Sequence, residues 1–270
     1  MNKEDDIRLD QKVRAAWMYY IAGLNQSEIA SQLGTSRPVV QRLIAAAKDE
    51  GIVSIGLHHP VANCLDYAQL LKEKYQLTDC NIMPVYSIES TLDSVTFGCY
   101  QLMARYLQGD KPTIVGIGSG LTLKKTIKRI DFDSQNTRCV ALISAMNEHG
   151  QCNYYDDVPL LLARKIQGKY YQWPAPRYAQ SREEYQMWST NRLFRNVSTV
   201  ARDSDVIFVG IGALGRQSPI FKDGFIDEQQ LEELTARGGV GEILGRFIDA
   251  EGNVVESQIN QMITSHDIRE

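Results

Sequence analysis

Apolar residues at helical spacing open the chain. Over residues 7–22, Ile7, Val13, Trp17, Tyr20 and Ile21 fall roughly on one side, which predicts a helix with that side buried and an end at Gly23. Asn25 then precedes Glu28 at the spacing of a capping box, and a short second helix follows with Ile29, Ala30 and Leu33 as its apolar side. Gly34 breaks it. Ser36 as N-cap and Pro38 in the first turn start a third helix at once. Its Val40, Leu43, Ile44 and Ala47 repeat at i, i+3, i+4 and i+7, the spacing of a buried stripe. Gly51 closes the helix, and residues 52–55 read as a short strand.

Residues 58–63 read as a linker, and 64–75 as a helix with Leu65, Ala68, Leu71 and Tyr75 on one side. Beyond them the pattern alternates. Apolar runs at 81–85, 113–117, 138–144 and 205–211 predict strands, and amphipathic stretches at 91–107, 121–130, 158–166 and 189–202 predict helices. Such alternation implies a mostly parallel sheet with helices on both faces. The expected fold class is therefore α/β: a small all-α domain over 1–57, then a Rossmann-like α/β domain over 58–270. The stiff segment Trp173-Pro174-Ala175-Pro176 reads as a covering loop, and Asp249, Gly252 and Asn253 as a turn between two strands.

The second and third helices, joined by a Gly-Thr-Ser turn, have the form of a helix-turn-helix. That unit sets the start of its second helix into the major groove of double-stranded DNA. Ser36 and Arg37 stand there, with Gln41 and Arg42 a turn further on. Arg pairs with guanine through two hydrogen bonds and Gln pairs likewise with adenine. Gln26, Ser27, Ser36 and Lys48 are placed for phosphate contacts, which position rather than specify. Charge changes this picture. Residues 1–57 hold seven bases and seven acids, so one copy neutralises few phosphates and should bind weakly. Two or more copies on paired half-sites would offset that, which points to an oligomer.

Two glycine-rich loops follow apolar runs. In 113–122 the strand runs into Gly116, Gly118 and Gly120, and then a helix begins. Glycines let a ligand approach the backbone, the helix start offers free N–H groups, and Ser119 and Thr122 add hydroxyls. In 206–215, Gly210, Gly212 and Gly215 match GxGxxG, but no helix opens at once and no acid ends a following strand, so a dinucleotide is not expected. Arg216, Asp223 and Glu242 are polar groups near these loops.

Composition removes other classes. The 270 residues carry a net charge of −4, so any contact with nucleic acid must come from local charge placement. The five cysteines never stand as CxxC, which argues for reduced thiols and against a disulfide framework or a zinc site. His58 and His59, being adjacent, would point to opposite faces of a strand, and no metal or cofactor is expected. There is no apolar run of membrane-spanning length, and the acidic N-terminus does not read as a secretory signal, so a cytoplasmic protein with no membrane partner is expected.

Four ordered blocks carry a resemblance: residues 26–53 (QSEIASQLGTSRPVVQRLIAAAKDEGIV), 115–123 (VGIGSGLTL), 205–215 (DVIFVGIGALG) and 238–252 (GGVGEILGRFIDAEG). Together they resemble the SorC family of sugar-responsive bacterial transcription regulators. The resemblance implies an effector domain similar in fold to glucosamine-6-phosphate deaminase and ribose-5-phosphate isomerase. It implies a sugar, polyol or sugar-phosphate effector and a homo-oligomer. It puts Gly118, Ser119, Gly120 and Thr122 in the effector loop, Glu242 near the bound sugar, and Gly212, Arg216 and Asp223 around it. Leu121 stands where many relatives have Arg or Thr, which leaves free and phosphorylated effectors both open. By the same resemblance, 58–270 lacks the family's last α/β unit. Two other readings stand beside the regulator. One is a sugar-phosphate isomerase or deaminase, for which His149 and the pair Asp156 and Asp157 are the nearest acid–base candidates. The other is an interaction module that binds no ligand.

Overall fold

The computed structural model describes residues 3–54, 59–109, 111–152 and 158–269. The chain divides into two units, Met1–Ala62 and Asn63–Glu270.

The first unit holds α1 (Lys3–Tyr20), α2 (Gln26–Gln32) and α3 (Arg37–Asp49). The capping box at α2 is complete: Asn25 Oδ1 accepts the N–H groups of Ser27 and Glu28 at 3.0 and 3.1 Å, and Glu28 Oε2 accepts that of Asn25 at 2.8 Å. Gly34 takes φ +61°, a left-handed turn open to glycine at no steric cost, and links α2 to α3. Ser36 has the extended backbone of an N-cap but its side chain makes no capping bond. Ala15, Ile29, Ala30, Val40 and Ile44 form the core.

Two expectations fail here. In α1 the buried residues are Ala15 and Ala16, whereas Ile7, Val13, Trp17 and Ile21 are exposed. Ala15 packs in the core of the unit, where the half-buried Met18 and Tyr20 also lie against it, so of the expected face only Tyr20 is partly buried. Residues 52–54 form no strand. Val53 donates instead to Ala47 O at 3.1 Å, satisfying a carbonyl at the end of α3. Ile55 lies outside the described residues.

The stretch expected as a linker is helical from Pro60, where α4 (Pro60–Tyr75) begins; His58 lies outside the described residues. Of the four residues expected to share α4's apolar side, only Ala68 is buried. Then come α5 (Thr91–Leu107), β1 (Ile114–Ile117), α6 (Leu121–Lys128), β2 (Arg138–Ala141), α7 (Val158–Lys165) and β3 (Lys169–Tyr171). After these run α8 (Arg182–Thr190), α9 (Arg192–Arg202), β4 (Val206–Phe208), β5 (Gly212–Ala213), α10 (Pro219–Lys222), α11 (Glu228–Ala236), β6 (Gly239–Ile243), β7 (Arg246–Asp249) and α12 (Gln258–Gln261).

Four strands pair in parallel in the order β3-β2-β1-β4. Alternation along them splits the core. Val115, Ile117 and Cys139 pack with Met103 of α5, Ile127 of α6 and Leu162 of α7. Ile114 and Val140 face the other way, toward Trp173, Ala175 and Val197 and Ala201 of α9. β5, β6 and β7 form a separate antiparallel sheet, over a core that includes Phe247, Leu234 and Ile259.

Residues 81–85 are not a strand. Asn81 Nδ2 donates to Gly98 O and Gln101 Oε1, and Met83 lies so close to Gly98 that an added Cβ there would meet its Cγ at 2.6 Å. The segment is thus bound to α5 rather than to the sheet. The helix expected at 189–202 is broken at Asn191, whose side chain caps α9. The Trp173–Pro176 segment does not cover the fold but enters it, with Trp173 and Ala175 buried.

Candidate functional site: a glycine-lined cavity and an exposed helix face

Because β1 and β4 are neighbours, the loops that leave their C-terminal ends lie side by side. Gly118 N–H donates to Phe208 O at 2.9 Å and ties them together. This is the sheet edge at which α/β folds receive ligands. A cavity of about 300 Å³ opens there, lined by Ser119, Gly120 and Thr122 from the first loop, Gly210 and Gly212 from the second, and Glu242 from β6. A recess of about 30 Å³ adjoins it and shares Ser119, Arg177, Gly210 and Glu242, with Gly118, Ile143 and Leu244 as its other walls.

Each glycine has a local reason. Gly120 takes φ +124° just before α6 and leaves the first N–H groups of that helix without a side-chain cap. Gly212 pairs with Glu242 in the antiparallel sheet, and a Cβ at position 212 would lie 2.2 Å from Glu242 Oε1. The carboxyl therefore occupies the room that glycine leaves. Its Oε2 accepts Gly245 N–H at 2.6 Å. Burial pushes the Glu242 carboxyl above the usual range, against the opposing pull of the Gly245 N–H and the Arg177 guanidinium.

Six of the eight residues expected around an effector thus come together: Gly118, Ser119, Gly120, Thr122, Gly212 and Glu242. Arg216 and Asp223 do not line this cavity. Arg216 is exposed and forms an ion pair with Glu228 at the start of α11, and Asp223 sits at the C-cap of α10. Sequence reasoning missed Arg177. It is 4% exposed, its Nε donates to Ser144 O at 2.9 Å, and its guanidinium carbon lies 3.5 Å over the Phe225 ring. Nothing in Pro-Ala-Pro-Arg-Tyr marked a buried cation. Of the acid–base candidates, His149 is exposed beside Glu148, and Asp156 and Asp157 lie outside the described residues.

A larger cavity, of about 540 Å³, lies between α11 and residues 257–262. Its carboxylates are Glu148, Asp227 and Glu233, of which Asp227 is committed to capping α11. It offers no paired glycine loops, and the helix start that it meets, that of α11, is already capped by a side chain.

In the first unit α3 buries Val40, Ile44 and Ala47 and leaves Arg37, Gln41, Arg42 and Lys48 exposed. Ser27 and Ser36 are exposed as well. Gln26 is half-buried, and its Oε1 accepts Arg37 Nε at 3.4 Å. Arg42 Nε reaches Pro38 O at 3.4 Å. Lys12 of α1 meets Glu50 at 2.5 Å, so that base is engaged within the unit. Among the described residues no helix is long and apolar enough to cross a membrane.

Comparison with known proteins adds the following. Residues 59–270 match the family described as "Putative sugar-binding domain". The chain is 28% identical over 249 residues to the erythritol catabolism regulatory protein EryD of Brucella abortus, covering 92% of this chain and 78% of that protein. It is 29% identical over 254 residues to the transcriptional regulator LsrR of Escherichia coli, covering 91% of this chain and 76% of that one. In fold it is similar to the full-length sorbitol operon regulator SorC of Klebsiella pneumoniae, with a TM-score of 0.68, 23% identity, and coverage of 98% of this chain and 85% of that chain.

Proposed function

The chain belongs to the family described as "Putative sugar-binding domain", and from this and its likeness to EryD, LsrR and SorC we propose a DNA-binding transcription regulator of the SorC type whose operator affinity is set by a small polyhydroxylated effector. The effector is a sugar, polyol or sugar phosphate seated against Gly118, Ser119, Gly120, Thr122, Gly212 and Glu242. In this reading α2 and α3 act as a helix-turn-helix. Arg37, Gln41 and Arg42 read base edges, while Gln26, Ser27, Ser36 and Lys48 hold phosphates. The protein acts as a dimer or tetramer, since the N-terminal charge balance gives one copy a weak grip on DNA. Its task is binding rather than turnover, and no cofactor takes part.

The observation that carries the reading is the cavity itself. It brings two glycine loops, the uncapped start of α6 and the half-buried Glu242 carboxyl to one place inside the matched domain. An effector that binds one arrangement of the oligomer better shifts it, and DNA affinity follows by linkage.

The test is operator footprinting with intact protein, with and without a panel of sugars, polyols and their phosphates that includes erythritol and sorbitol. A change in operator occupancy with at least one member is expected. Gly120→Val should abolish that response and leave DNA binding intact, because valine is strained at φ +124°. Occupancy that no member alters would overturn the reading.

A further inference from the structure

Arg177 and Glu242 are the charged residues that line the cavity and its recess, and both are held in place. Arg177 is anchored through Nε to Ser144 O and stacked on Phe225. Glu242 is anchored through Oε2 to the Gly245 amide. Neither can swing aside without breaking a bond inside the protein.

Chemistry then restricts what enters between them. The recess measures about 30 Å³. A guanidinium only donates hydrogen bonds, an ionised carboxylate only accepts them, and a hydroxyl does both. A hydroxyl placed between the two is therefore satisfied on each side. An ionised phosphate placed there could pair with Arg177, but it has no proton to donate to Glu242 and sets its charge against that carboxylate, where like charges repel. The wider part of the cavity differs. There Gly120, Leu121 and Thr122 present the start of α6, whose N–H groups have no side-chain cap and favour an anion.

We infer that Arg177 and Glu242 read the uncharged, hydroxyl-bearing end of the effector and exclude phosphate from that end. A phosphate, where the effector has one, lies at residues 120–122. The effector thus has a fixed direction in the cavity and at most one phosphorylated end. This rests on the cavity being the effector site, as proposed above.

The test is titration calorimetry on intact protein with erythritol and sorbitol, each free, phosphorylated at one end, and phosphorylated at both. For whichever skeleton binds, the doubly phosphorylated form should bind at least about tenfold more weakly than the better of the other two. Glu242→Gln keeps an acceptor and removes the charge, so it should narrow that gap by about threefold or more. Arg177→Leu should weaken the free and singly phosphorylated forms about tenfold, and Arg177→Lys should recover part of the loss. Equal affinity for the doubly and singly phosphorylated forms overturns the inference, as does a gap unchanged by Glu242→Gln. These two results also decide the matter if the Arg177 variants fail to fold. Absence of binding by every form, free polyols included, overturns the effector reading itself and this inference with it.

Discussion

The two units keep the polar groups of their candidate sites in opposite environments. On α3, Arg37, Gln41, Arg42 and Lys48 are exposed, and their few contacts within the protein are long, at 3.4 Å for Arg37 and Arg42. In the cavity, Arg177 and Glu242 are fixed by shorter bonds, at 2.9 and 2.6 Å, to main-chain atoms. Under the proposed function the difference matches what each would meet. A duplex presents a broad, hydrated surface to which long side chains adjust. A small polyol presents a few hydroxyls, and only groups already in position can tell one arrangement from another. The cores differ in the same sense. The first unit rests on a small set that includes two alanines, whereas the α/β unit has three clusters with Met103, Trp173 and Phe247 among them.

This contrast can be broken by experiment. The largest effect is expected from Phe247→Ala, which empties a fully buried site and should cost the α/β unit about 3–5 kcal/mol in denaturant melts. Next is Ile29→Ala, also fully buried. It should cost about 2–5 kcal/mol, toward the low end if the small helical core collapses onto the gap, and should remove operator binding by unfolding α2 and α3. A loss confined to operator binding, with no change in melting, would show that Ile29 is not structural.

Arg42→Ala should weaken specific operator binding by about 1–3 kcal/mol in an anisotropy titration while leaving effector affinity unchanged. Unchanged operator affinity would take Arg42 off the reading face. The smallest effect concerns Asp267, where hydrogen bonds from Arg269 and the nearby Arg246 hold the carboxyl down to about 2, from an ordinary value of 3.8. A depressed carboxylate stabilises the fold above pH 3.8, and that contribution is lost as pH falls toward 2. Asp267→Asn should therefore cost about 1–2 kcal/mol at pH 7 and only a small part of that near pH 2, where the folded-state carboxyl is itself titrating. An equal loss at both pH values would assign the effect to packing instead of charge.

Local rules carried the sequence reading where they acted alone. The capping box at Asn25 and Glu28, the helix over 91–107 and the glycine loops after β1 and β4 each follow from a few neighbouring residues. The failures came where distant partners decide. The apolar residues of α1 suggested a buried face, but α1 packs through Ala15 and Ala16, and no periodicity rule favours alanine over tryptophan for that role. Residues 81–85 have strand-like composition, but Asn81 and Met83 found α5 first. Arg216 stood beside a glycine loop and was drawn off by Glu228. Arg177 was hidden for a related reason: its burial depends on Ser144 and Phe225, which lie far from it along the chain.

The hydrogen bond from Gly118 to Phe208 joins the loop after β1 to the end of β4, and Gly118 itself lines the recess. Its proton exchanges with deuterated solvent only when the two loops part. A molecule seated against both loops holds them closed, so the exchange rate at that one amide is a direct clock of occupancy, readable in unlabelled protein and before any DNA is added.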